Sequence, residues 1–96
     1  MNAGIAVLAG AQLSTVDEDF ARSLGLEQGI LAVRVPSGTA AADAGLRSGD
    51  MITAVNGVSV KDMAPLRRAF VEGGARDVRL TVATRGAPPR VITVRW

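Results

Sequence analysis

The stretch Ser37–Gly57, SGTAAADAGLRSGDMITAVNG, constrains the fold more than any other part of this chain. It reads as a short helix, a glycine stop, a turn, a strand and a tight hairpin, with almost no slack. Thr39 is placed to cap the helix, since its hydroxyl can accept a bond from a free amide in the first turn. Ala40, Ala41, Ala42 and Ala44 are good helix formers, and their small side chains let the helix lie close to a sheet. Gly45 falls where a left-handed residue ends a helix, and Leu46 supplies the usual apolar contact beyond it. Ser48-Gly49-Asp50 turns the chain, Met51 to Val55 is a strand, and Asn56-Gly57 is a strong type I′ hairpin signal.

The rest of the chain sets out further short elements. Ala6-Val7-Leu8-Ala9 reads as a first strand, with Gly10 breaking or bulging it and Ala11-Gln12-Leu13 continuing it. Thr15 and Glu18 have the spacing of a capping box, so a helix is expected from about there, with Phe20, Ala21 and Leu24 as its apolar face and Gly25 as its stop. Gly29–Val35 is the clearest strand by its β-branched content. Val58-Ser59-Val60 returns the hairpin. Asp62 is expected to cap a second helix from Met63 to about Glu72, with Pro65 harmless in the first turn and Met63, Leu66 and Phe70 in one apolar stripe. Val78–Thr84 and Arg90–Trp96 alternate as half-buried strands around the turn Arg85–Pro89.

Composition matters mainly for what it excludes. Ninety-six residues make one domain with one modest core, and 48% hydrophobic against 21% charged residues argues against disorder. There is no histidine and no cysteine, so Ser–His–Asp, Cys–His and thiolate chemistry are all impossible within this chain. Asp17, Glu18 and Asp19 are better explained as a helix first turn than as a metal site, and Asp43 and Asp50 as capping and turn residues. No cofactor is expected: the glycines are too scattered for a phosphate or dinucleotide loop. Ten Arg and one Lys give a net charge of +2, but the arginines are dispersed and there are only one Trp and two Phe on which bases could stack. Nucleic acid is therefore not an expected partner. No apolar run approaches the roughly 18 residues of a membrane span. Met1–Gly10 lacks the basic start of a signal peptide, so the chain is read as a domain excised from a longer protein.

The ordered string A-x-x-A-G-L-x-x-G-D-x-I-x-x-V-N-G resembles the central segment of PDZ domains, above all those that follow the catalytic domain in bacterial HtrA/Deg-type serine proteases. The Leu24-Gly25-Leu26 helix end fits the same family. The resemblance implies a single domain over residues 1–96, α+β but mostly β: a partly open sandwich or barrel of five to six strands capped by two to three short helices. It implies a non-catalytic module that binds C-terminal or unfolded-protein peptides by strand addition, attached to a protease domain and located in the periplasm or cell envelope. The terminal carboxylate would be held by amides of the loop Ala3-Gly4-Ile5, although the family's second loop residue is usually larger than Ala3. The peptide would pair with Ala6–Ala9, with Ile5 and Val7 on one face, and the opposite wall would be Met63, Leu66, Arg67 and Phe70. With no histidine at the helix start, the expected preference is an apolar C-terminal residue with loose rules behind it. Two other readings stay open: a PDZ domain with a blocked groove that serves subunit contacts, prompted by Ala3 and the long segment Ala11–Gln28, and a PDZ domain of another protease or a secretion component.

Overall fold

The structure, a computed structural model, describes residues 5–71 and 76–95. Its elements run in order β1 (Ile5–Leu8), β2 (Ala11–Thr15), α1 (Glu18–Ser23), β3 (Ile30–Arg34), α2 (Ala40–Asp43), β4 (Met51–Val55), β5 (Val58–Ser59), α3 (Met63–Val71), β6 (Asp77–Ala83) and β7 (Arg90–Arg95). All strand pairings are antiparallel, in the order β1-β2-β3-β4-β6-β7 with β5 paired to β4. The fold is thus the expected mostly-β one, an open sheet carrying three short helices. It has seven strands rather than five or six, because the first apolar run folds back on itself. Ala9 and Gly10 both take positive φ, 52° and 84°, which makes a type I′ turn where the sequence suggested one interrupted strand.

The segment Ser37–Gly57 folds as its residues dictate. Thr39 Oγ1 accepts from the Ala42 amide at 3.1 Å. At the other end of α2 the Gly45 amide donates to the Ala42 carbonyl and the Leu46 amide to the Ala41 carbonyl, which closes the helix and drives Leu46 into the core at 1% exposure. Asn56 and Gly57 repeat the positive-φ pair, at 49° and 84°.

Helix α1 starts differently from the sequence expectation. Asp17 is its cap, accepting from the Phe20 amide at 2.7 Å. Thr15 is still in β2, paired with Ile30, so its backbone is committed to the sheet. The apolar face is also narrower. Ala21 is buried and Leu24 is half-buried, but Phe20 is 44% exposed.

The core lies on both faces of the central strand β4, where only Ala54 is not buried. On one side Ile52 and Val55 join Leu13, Ile30, Leu46, Leu66, Leu80, Val82 and Val94 in the main cluster. On the other, Met51 packs with Ala21 and Ala83, covered by Val16, Leu24, Leu26 and Leu31. The strand is apolar on both faces because α1 covers one face and α2 and α3 stand on the other. This holds α3 over the main cluster, with Met63 and Leu66 facing inward.

Candidate peptide-binding site

The sheet ends at β1, and α3 stands beside it, Cα atoms of the two coming within 8 Å at their nearest approach. The sequence expectation places a peptide beside this edge strand, between it and α3.

The hairpin fixes which backbone groups point where. A two-residue turn is flanked by a hydrogen-bonded pair, and the pairs alternate outward from it. Leu8↔Ala11 and Ala6↔Leu13 are then the bonded rungs, and Val7↔Gln12 is not. Val7 turns its amide and carbonyl away from β2, and its side chain is 62% exposed. Leu8 packs on the main cluster. On β2, Ala11 and Leu13 are buried at 1% and 2% and alternate with exposed Gln12.

The other expected residues scatter. Ala3 and Gly4 fall outside the described residues, and of Ile5 and Ala6 only the backbone is described. Met63 is buried at 7% and Leu66 at 0%, both within the main cluster, so Leu66 presents nothing to a ligand. Arg67 is exposed and lines a shallow depression with Ala64, Arg68 and Val71 on the outer face of α3. Phe70 is half-buried and packs against the cluster from its edge. What sequence reasoning missed is the turn at Ala9-Gly10, which makes β1 and β2 two strands of a hairpin.

Among the described residues one charged cluster is buried, and it is structural. The Asp50 carboxylate, 1% exposed, accepts from the Arg47 amide, Thr84 Oγ1 and Arg90 Nη2. Arg90 also donates to the Gly45 carbonyl and to Thr84 Oγ1. Every buried polar side-chain atom among the described residues has a partner.

A sheet edge beside an amphipathic helix, the glycine-stopped α2 and the Asn-Gly hairpin together define a PDZ-like β domain. The sequence profile of the PDZ domain family matches residues 32–84, and the chain belongs to that family. It is 43% identical over 76 residues to a probable periplasmic serine endoprotease, DegP-like, of Rhizobium meliloti, covering 74% of this chain and 15% of that protein. It is 39% identical over 67 residues to the putative serine protease HhoA of Synechocystis, covering 70% of this chain and 17% of the relative. The chain thus spans under a fifth of these curated relatives. Among solved structures, the HtrA3 PDZ domain bound to a phage-derived ligand, FGRWV, superposes with a TM-score of 0.77 at 22% identity, over 95% of this chain and 85% of that one. The HtrA-type protease AlgW with a decapeptide gives 0.72 at 22% identity, over 95% of this chain and 29% of that one. No helix among the described residues is long and apolar enough to cross a membrane.

Proposed function

We propose that this domain captures extended apolar peptides, preferentially by a free C-terminus, through strand addition where the sheet ends beside α3, and that it recruits substrate for, or regulates, an HtrA/Deg-like serine protease in the periplasm. The observation that carries this reading is the meeting of a sheet edge with the apolar face of α3. Backbone donors and acceptors there give affinity for any extended chain, and neighbouring side chains give choice. Val7, Met63, Arg67 and Phe70 are the side chains closest to that role. The Ala3-Gly4-Ile5 and Ala9-Gly10-Ala11 strings both have the small residues that let amides converge on a carboxylate. The names of the DegP-like relatives and the peptides bound in the two structural neighbours support the same reading.

The test is a fluorescence-polarisation titration of peptide libraries that end in apolar residues, each made with a free and an amidated C-terminus. Binding that weakens at least about tenfold on amidation, a loss of one charge-assisted contact set, is the expected result. No binding by any member, or no effect of amidation, overturns the C-terminal reading. A second reading, a structural module that makes subunit contacts, is prompted by Ala3, small for its place in the family's loop, and by the long segment Ala11–Gln28. Light scattering on this domain separates the two, since that reading requires association without peptide.

A further inference from the structure

We infer that the groove between β1 and α3 takes an acidic peptide: one that ends in an apolar residue and carries adjacent Asp or Glu side chains just before it, met by Arg67 on the helix side and Arg34 on the sheet side. This rests on the strand-addition reading and names the class of peptide that the same site selects.

Three observations carry it. The first is the charge of the elements around the groove. β1, β2, β3 and α3 together contain Arg34, Arg67 and Arg68 and no acidic residue. The chain as a whole is nearly balanced, with eleven basic residues to nine acidic. Lys61 and Asp62, just ahead of α3, offset one another. Among the acids elsewhere, Asp17 caps α1, Glu18 and Asp19 pair with Arg22, and Asp50 is buried with Arg90.

The second is that two of these arginines are open. Arg34 and Arg67 are both exposed, and among the described residues neither has an ion-pair partner. A cation that is unpaired in the free domain breaks no existing pair when a ligand carboxylate arrives, whereas Arg22 and Arg90 are already taken.

The third is placement. Gln12 pairs with Val7 on one side and with Arg34 on the other. Residues paired across antiparallel strands share a face, so Val7, Gln12 and Arg34 stand in one exposed row that leads to the open edge. Ala11 and Leu13 mark the other face, buried in the main cluster over which α3 stands. Arg67 follows Met63 by four residues and precedes Phe70 by three, so it stands beside both, at the margin of the buried stripe of α3. Successive side chains of an added strand point to opposite faces. Of two adjacent acidic residues, one therefore turns toward the Arg34 row and the other toward Arg67.

Exposed ion pairs are weak singly, about two- to fivefold in affinity each, and salt screens them. Two together give about tenfold, which sets a preference among apolar-ended peptides without replacing the backbone ladder as the source of affinity.

The experiment titrates three fluorescein-labelled peptides, FEEWV, FQQWV and FKKWV, each with a free C-terminus. They are alike in length and in their apolar ends and differ only in charge. The forms of the chain are unaltered, Arg34→Glu, Arg67→Glu, the double variant of these two, and Arg85→Glu. All three positions are exposed, so each variant should keep the fold, which a proton NMR spectrum verifies. At low salt the unaltered chain should bind FEEWV about tenfold tighter than FQQWV, and FKKWV least. The spread should close in about 1 M salt, where the screening length is about 3 Å. This salt series needs no variant and stands if one of them fails to fold. Each single variant should narrow the spread and the double variant should invert it, with FQQWV moving less than about twofold throughout. Arg85→Glu makes the same charge change in the β6–β7 turn and should leave the order intact. If it flattens the order as much as the double variant does, net charge alone is at work and the inference falls. Equal affinity of the unaltered chain for all three peptides overturns the acidic class and leaves strand addition standing. No binding of any peptide by any form overturns both.

Discussion

Arg90 Nη2 lies 2.8 Å from Asp50 Oδ2, and this contact joins the start of β4 to the start of β7 across forty residues of sequence. Asp50 is buried and Arg90 is partly open, with side-chain exposures of 2% and 38%. Removing Asp50 orphans the Arg47 amide, Thr84 Oγ1 and one arm of Arg90 together. Asp50→Ala should cost about 3 kcal/mol and lower the thermal midpoint by about 15 °C. Arg90→Lys keeps the charge but loses the planar fork that reaches both Asp50 and the Gly45 carbonyl, so it should fall between Asp50→Ala and the unaltered chain. Thermal melts followed by circular dichroism check the order. Equal midpoints for all three would show that the network does not hold the fold.

Arg22 supplies the contrast. It reaches Glu18 at 3.2 Å and Asp19 at 3.4 Å, but all three side chains are at least 70% exposed. Arg22→Ala should change stability by less than about 0.5 kcal/mol. Urea titration at low and high salt is the measurement, and a loss above about 1 kcal/mol would mean the pair does more than its exposure allows.

Leu66 and Arg67 are neighbours in α3 with opposite fates. Leu66 is fully buried, so Leu66→Ala should cost about 3 kcal/mol, and Leu66→Glu should prevent folding at room temperature. Arg67→Glu should fold normally, with a stability change within about 0.5 kcal/mol. A proton NMR spectrum of each variant settles it. A folded Leu66→Glu domain would show that α3 turns a different face to the core.

These contrasts mark what was legible beforehand. From Thr39 to Gly57 nearly every element could be read, because each is set by a local rule: a cap, a left-handed stop, a type I′ dipeptide. Asp17 was missed as a cap because Thr15 has the better motif. Only the pairing of Thr15 with Ile30 takes that residue out of the competition. The Ala9–Gly10 turn was missed because alanine rarely takes positive φ, and nothing local announces that it will. The Asp50–Arg90 contact spans a distance no local pattern encodes. The expected helix wall was only half legible: that Met63 and Leu66 belong to the core while Arg67 lies outside follows from how α3 seats on the sheet, which the stripe alone does not fix.

Gly29 is a case where absence of a side chain is required by a neighbour. A Cβ there would stand 2.1 Å from the Ile52 carbonyl oxygen, a backbone atom of the central strand. Gly29→Ala should cost at least about 2 kcal/mol, since β3 must move off β4 to admit it. Gly25→Ala meets nothing within 4 Å and pays only for its φ of +71°, about 1 kcal/mol. Chemical denaturation of the two variants should rank them in that order.

The two ends of the sheet differ in how they deter other copies of the chain. At one end, β1 turns the amide and carbonyl of Val7 away from β2, an open edge that a second molecule could extend. At the other, β7 is preceded by Pro88-Pro89 and carries Arg90 and Arg95 at its two termini. Two copies meeting β7 to β7 in antiparallel register would bring Arg90 of each against Arg95 of the other, cation on cation. The last strand therefore carries its own deterrent to pairing, while the first leaves open the rim that an added strand would use.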